Sequence, residues 1–573
     1  MPADPPSVAP PAWGRVGWAV VAAAFALGFY AFPLKVVGPR LDSLPGDPAD
    51  NRLNNYILEH GYQCLTGRAD AFWDAPMFYP TRLVTVASDA HLGMLPVYAA
   101  LRAGGLSPEG AFQGYFLIPF VLNFASAVWA VRRLGFGPVA GAVGAYVFTF
   151  SLPLAAQLQH AQLFPRFLVP PALVFAWEFL RAPRAWRLGA VAVCAVGQTY
   201  LTPYIGYLLG LLLAVGAAVA AVRFRRELPW NELLRPGPRA WAKRVGVAAV
   251  ALLALAPLLA RHVGGVPPPP VDTFRASAPR PGSWITPPVI AATVPELADE
   301  TGLGTWQAGE QQLLPGLLTL AAVGGGLAVA LRPGPLGGRG AAVAVAACSI
   351  AVVVVLLTRY GELWVYQPLT RLPGAGGIRA VGRVVLVLLF PAGVVLGAGA
   401  DAMARAAVRI GRIGPPGAGL LALAAVAADQ WLIPTAGPHA HTWAPLRYSK
   451  AIATARQARI VEAIRQHPGP TLLYAFPSYG EGSQGGALGA QFEAMRASQD
   501  AGIPCVNGWS GYLPGGWGFF PGYRALFAWL AATGVPPERI AGLVVVGVPV
   551  PDADPQYEAA MRAAFPPRAV PPP

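Results

Sequence analysis

Charge is what this 573-residue chain has least of: only 12% of its residues are Asp, Glu, Lys or Arg. Soluble domains carry about twice that share, while hydrophobic residues here reach 55% and mean hydropathy is +0.47. An ordinary soluble enzyme is excluded, and a polytopic membrane protein remains. Cysteine is scarce as well, four residues in all. Cys64, Cys194, Cys348 and Cys505 show neither a CxxC pair nor metal-ligand spacing, so a zinc ribbon or a disulfide framework is not expected. Cys194 and Cys348 fall in apolar runs, as small core residues do; Cys64 and Cys505 could face an oxidising compartment. No Walker A motif or dinucleotide fingerprint stands in a strand–turn–helix context. The net charge of +14 does not call for nucleic acid, because loop arginines that orient membrane spans account for it.

Long apolar runs are what the chain does have. The first, about Gly17 to Val37, follows Arg15, is long for a signal-peptide core, and lacks a small-residue cleavage site, so it reads as a retained span with a cytoplasmic N-terminus. Further runs near 111–131, 137–155, 163–180, 187–201, 203–222, 245–262, 313–331, 340–357, 381–400 and 417–435 bring the total to about eleven spans. Every second loop is short and basic: Arg132 and Arg133; Arg181, Arg184 and Arg187; Arg223 to Arg244; Arg332 and Arg339; Arg405 to Arg412. The positive-inside rule puts these in the cytoplasm. Loops 38–110, 156–162, 263–312 and 358–380 then lie outside the cytoplasmic (inner) membrane, with the tail after about 436. The expected fold is mainly α: residues 1–435 form the membrane domain with outer-face surface helices, and 436–573 a small extracytoplasmic α/β domain. In that domain 471–477 and 541–550 read as strands, and 447–467 and 522–534 as amphipathic helices.

Most acids sort to the outer side, and they crowd between Asp42 and His91. Asp47 sits in a Pro-Gly-Asp-Pro turn. Asp50 reads either as the N-cap of a helix from Asn51 or as an acid of a cleft. That helix carries Asn54, Glu59 and His60 at helical spacing and reads as an amphipathic helix on the membrane surface. In the next segment, Trp73, Phe78 and Tyr79 read as an interfacial aromatic belt or as a sugar-stacking surface. Asp89 and His91 precede a second surface helix. Asp89 either caps it or turns beside Asp47, where the two acids could hold a divalent cation, magnesium or manganese. A second polar knot, Gln157, Gln159, His160, Gln162 and Arg166, fills the 156–166 turn; its open readings are hydrogen bonding between helix ends and contact with sugar hydroxyls or phosphate. Glu310 in the 263–312 loop, and Arg371, Arg379 and Arg383 on the outer side, run against the charge bias or stand apart from it. The arginines invite a phosphate or a lipid headgroup.

The patterns GDPADNRLNNYILEH, FWDAPMFYP, SDAHLGMLPVY, QHAQLFPRF, LPGAGGIRAVGR and VNGWSGYLP, set on this architecture, resemble the GT-C superfamily of membrane glycosyltransferases. The resemblance implies inverting transfer of a sugar from a polyprenyl-phosphate donor to a lipid, glycan or protein acceptor. It further implies that an acid of the first outer loop is the general base, sometimes with a divalent metal. Asp47 matches that acid best by position, then Asp50, with Asp89 a second-loop acid; the candidate substrate-binding residues are Asn54, Glu59, His60, His91, His160, Gln162, Arg166 and Arg379. No Asp-x-Asp pair stands at the expected place. A transporter and a non-catalytic scaffold are the rival readings. Against transport, the spans are nearly free of ionisable residues at midplane depth.

Overall fold

The structure is a computed structural model that describes residues 12–46, 50–262, 271–288, 308–372, 375–411, 413–432, 447–477, 484–511, 513–518, 520 and 522–548. It is a mainly α, polytopic membrane protein. Among the described residues seven helices are long and apolar enough to cross a membrane: α1 (Arg15–Val37), α4 (Pro108–Arg133), α5 (Pro138–Ala156, bent at Ser151), α8 (Pro203–Arg223), α9 (Pro238–Arg261), α12 (Arg339–Leu357) and α13 (Val381–Arg409). The other four expected spans are helical but shorter: α6 (Val169–Arg181), α7 (Ala185–Leu201), α11 (Leu317–Ala330) and α14 (Pro415–Asp429). Thr202 and Pro203 divide α7 from α8, since proline removes the N–H that would continue the helix and its neighbour leaves the α region.

Helices α5 and α13 form the centre of the bundle, 94% buried in each case. Glycine permits their approach. A Cβ on Gly393 would stand 2.5 Å from the Gly144 carbonyl oxygen, and one on Gly397 2.6 Å from that of Ala140. With lipid as solvent there is little hydrophobic force between spans, so close backbone contact through small residues holds them.

Four further helices matter to the site: α2 (Asp50–Leu65), α3 (Leu95–Ala103), α10 (Ala308–Gln311), and, in the tail, α16 (Gln484–Ala501). Helix α2 corrects an expectation. It is not an amphipathic helix on the membrane surface, because nearly every residue from Asn51 to Gly61 is buried. The tail covers its upper side: Gln499 Nε2 donates to the Tyr56 carbonyl at 3.0 Å. Helix α3 forms as expected, but its N-cap is Met94, not Asp89.

The tail contains β2 (Arg447–Ser449), α15 (Lys450–Gln466), β3 (Leu472–Pro477), α17 (Tyr523–Ala532) and β4 (Leu543–Val548). Strands β3 and β4 pair in parallel, Leu472 opposite Leu543, and β2 pairs antiparallel with β1 (Ser43–Pro45) of the loop after α1. Helix α16, in a stretch whose glycine-rich start hides it, is an element the sequence reading passed over. The α/β unit does not close its core alone. Cys505 bridges to Leu473 in parallel, and the first loop lines up beyond it: Cys505 N donates to Pro76 O at 2.8 Å and Phe78 N to Asn507 O at 3.0 Å. Leu53, Ile57, Met77 and Phe78 share one buried cluster with Leu473, Phe492 and Leu526. Phe78 is therefore core, edge-on to Trp517 with centroids 4.8 Å apart, and not part of a membrane belt. Cys64 and Cys505 are both free thiols.

Candidate functional site

Two loops far apart in sequence are clamped together by one side chain. Asn51 Nδ2 donates to Pro45 O at 2.8 Å and to Leu158 O at 2.7 Å, while its Oδ1 accepts from Ala161 N at 2.9 Å. Gly46 makes the tight approach possible: its φ is +70°, and a Cβ there would stand 2.2 Å from Asn51 Nδ2. Asp47 lies outside the described residues.

Asp50, at the start of α2, is thereby brought to the 157–162 turn. Its Oδ2 lies 3.1 Å from His160 Nδ1, and its Oδ1 accepts from Trp509 Nε1 of the tail at 3.3 Å. On the other side, His160 Nε2 stands 3.7 Å from Glu310 Oε1. Glu310, on α10, is held by Arg383, whose Nη2 donates at 2.5 Å and Nε at 3.0 Å. The Arg383 guanidinium lies over the Tyr204 ring, 4.7 Å from its centroid. The result is a chain of alternating acidic and basic side chains, Asp50–His160–Glu310–Arg383, drawn from four separate segments. Burial raises the pKa of both carboxyls. For Asp50 this is outweighed by the hydrogen bond and charge of His160, by Trp509 and by the charge of Arg383, which leave the group below the usual carboxylate range. For Glu310, Arg383, then His160 and Arg379, do the same. A medium of low polarisability strengthens each of these interactions.

Arg379 is exposed, and its charge reaches Glu310. Asp89 is half-buried, and its charge reaches Arg383. These two border the chain. Behind Asp50, one turn along α2, Asn54 Nδ2 donates to Gln162 Oε1 at 2.6 Å, and Asn54 Oδ1 accepts from His91 Nε2 at 3.1 Å. The His91 Nδ1 then accepts from the Tyr115 hydroxyl at 3.0 Å. Both nitrogens are satisfied by a neutral ring.

Three candidates have partners elsewhere. Glu59 is spent on Arg102, at 2.8 Å, and on the Tyr98 hydroxyl, at 2.9 Å. His60 Nε2 meets Ala71 O at 3.0 Å. Of the two readings open for Arg166, the structure has hydrogen bonding between helix ends and not the phosphate contact: it is fully buried, its Nη1 donating to Leu386 O at 2.7 Å and Nη2 to Phe148 O at 2.8 Å. A guanidinium in this position joins α13 to the end of α5. Among the described residues no group of three His, Cys, Asp or Glu could hold a metal ion, and one member of the acid pair expected to do so, Asp47, is not described.

In the sequence Glu310 is only a loop acid and Arg383 one of three arginines that invite a phosphate or a lipid headgroup, and nothing there pairs the two or singles out Trp509. Their meeting depends on contacts between positions up to 459 apart, which no local pattern encodes.

Burial holds the His91 pKa down to about 3. The folded protein keeps it neutral where the unfolded chain would take up a proton, so its contribution is full above pH 6.5 and is lost as pH falls toward 3. Going from pH 7 to pH 5 is expected to cost about 2 kcal/mol, and His91→Gln to remove that part of the slope. Thermal midpoints of the detergent-solubilised protein at the two pH values measure it; an unchanged slope in the variant would refute the assignment.

No family model matches the chain, and no curated protein matches it. Among solved structures it is similar to ArnT from Cupriavidus metallidurans in the apo state, at 13% identity and a TM-score of 0.41 over 93% of this chain and 89% of that one. It is also similar to the same protein bound to undecaprenyl phosphate, at 12% identity and a TM-score of 0.32 over 93% and 90%. A third similar structure is the Archaeoglobus fulgidus oligosaccharyltransferase in complex with zinc and sulfate, at 10% identity and a TM-score of 0.32 over 85% of this chain and 62% of that one.

Proposed function

We propose that this chain is a GT-C-type glycosyltransferase of the cytoplasmic membrane, moving a sugar from a polyprenyl-phosphate donor to a hydroxyl of an extracytoplasmic lipid, glycan or protein. One observation carries the reading: Asp50, His160, Glu310 and Arg383 meet at the end of the bundle opposite the basic loops, with Arg379 and Asp89 at their border. The charge bias makes that end the outer one and puts the N-terminus in the cytoplasm and the tail outside.

The chemistry needs a base beside the attacking hydroxyl and positive charge beside the departing phosphate. The acceptor oxygen bonds to the anomeric carbon as the bond from that carbon to the phosphate oxygen breaks. The electron pair leaves with the polyprenyl phosphate, and the acceptor's proton passes to a carboxylate. Asp50 is the base among the described acids: its carboxylate is held ionised and its side chain is 37% exposed. Arg379 is the cation left to meet the phosphate, since Arg383 is taken by Glu310. The described residues offer no three-donor metal site, and no step here passes through one.

The test is reconstitution in nanodiscs with undecaprenyl-phosphate-linked sugars and envelope lipids or glycans as acceptors. Release of undecaprenyl phosphate matched by a new glycoside of inverted configuration is the expected result. Substrate flux across proteoliposomes with no glycosidic bond formed would overturn it.

A further inference from the structure

On the side of the basic loops, α7 and α9 leave a groove of about 710 Å³ between them. Both helices start on the side of the basic loops, so the groove runs from Ala185 and Lys243 at its mouth to Gly197 and Ala254 at its head. Small residues keep it open: Gly189 and Ala192 on one wall, Gly246 and Ala251 on the other. The two helices are tied at both ends. The Tyr200 hydroxyl donates to Ala254 O at 2.7 Å, and Arg244 Nη2 to Pro183 O at 3.1 Å. Otherwise α9 is the least buried of the seven spans, at 6%.

Length decides what fits. Twelve helical residues rise roughly 18 Å, close to one leaflet of a hydrocarbon core roughly 30 Å thick. A spanning helix of a partner would need the whole thickness. Acyl chains of one leaflet match the groove's length. Charge decides which lipid. Lys243 lines the mouth and makes no ion pair or hydrogen bond among the described residues; Arg239, one turn before it, is exposed. The nearby acid Glu178 is already engaged by Arg133 and Arg187. Trp186, 53% exposed, stands at the same level, where indoles sit among headgroups.

We propose that this groove binds an anionic diacyl phospholipid of the cytoplasmic leaflet, its acyl chains between α7 and α9 and its phosphate at Lys243. The leaflet follows from the basic loops, and its anionic headgroups are drawn to such cations. The proposal is independent of the reaction assigned to the outer face.

Native mass spectrometry of the delipidated full chain, titrated with phosphatidylglycerol or phosphatidylcholine, tests it. Phosphatidylglycerol is expected to bind as one retained molecule, and Lys243→Gln to weaken it roughly fivefold with phosphatidylcholine unaffected. Ala192→Leu combined with Gly246→Leu is expected to abolish retention while the melting temperature holds. Should that double variant misfold, Lys243→Glu at the exposed mouth is the substitute, with the same selective loss expected. Equal retention of both lipids, unchanged binding in the Lys243 variants, or a dimer of the chain that the plugged groove abolishes would each overturn the proposal, the last in favour of a second copy.

Discussion

Asp50→Asn is expected to lower the rate of sugar transfer by roughly 10²–10⁴-fold, the range a positioned general base supplies. The asparagine keeps the oxygen that accepts from Trp509 and the size of the side chain, so the start of α2 should stay in place. It removes the charge that faces His160 at 3.1 Å and the oxygen that would take the acceptor's proton. The loss should appear in kcat, because the interaction is made with a proton that moves in the transition state. Asp47→Asn and Asp89→Asn, measured beside it on the same donor, separate the three acids. Full transfer by Asp50→Asn with loss in Asp47→Asn would move the base to the turn before α2. Loss in Asp89→Asn alone would move it to the second segment of the loop. His160→Gln should fall by a smaller factor and shift the acid limb of the pH profile upward, because the charge and hydrogen bond of His160 help to hold Asp50 below its usual range.

Glu109→Ala is the second large effect, on stability. Glu109, at the start of α4, is the anion shared by two buried arginines: Arg52 Nη1 stands 3.7 Å from its Oε1 and Arg496 Nη2 4.0 Å. Both guanidiniums are 2% exposed or less. One belongs to α2 and the other to α16, so this carboxylate joins the bundle, the loop after α1 and the tail. Removing it takes away the carboxylate the two buried cations share and leaves Arg52 only the charge of Glu493, and Arg496 those of Asp500 and Glu59, at longer range; a broken buried pair of this kind costs up to about 3–5 kcal/mol. The tail should then become the first part to be cleaved by protease, with a lower melting temperature. Adding Arg496→Met to Glu109→Ala should recover part of the loss, since it removes one stranded charge. Additive losses in the double variant would show that the two residues are not coupled.

Much of the architecture was legible before any coordinates. All eleven expected spans are helices, both tail strands form, and α3 and α15 stand where their patterns put them. Apolar periodicity and the charge of successive loops are local signals, so a single sequence carries them. Less was legible of the site. His160, Asn54, His91 and Gln162 were named, and they do meet around α2, but His91 and Gln162 do so through hydrogen bonds to Asn54 that satisfy them within the protein. For Arg166 the sequence left two uses open, hydrogen bonding between helix ends and contact with a phosphate. In the fold it finds two backbone carbonyls.

The opening acid-rich stretch shows where the boundary falls. Its composition set it apart from the spans, and the alternation of basic loops put it on the side away from them. Whether its helix lies on a membrane or inside the protein depends on what covers it, and the cover is a tail some four hundred residues later that borrows Met77 and Phe78 for its own core. Sequence determined the spans and the face that carries the acids, because those follow from solvation and charge residue by residue. Tertiary structure alone decided which acid meets which base, because that rests on loop contacts whose chain separation leaves no periodic trace.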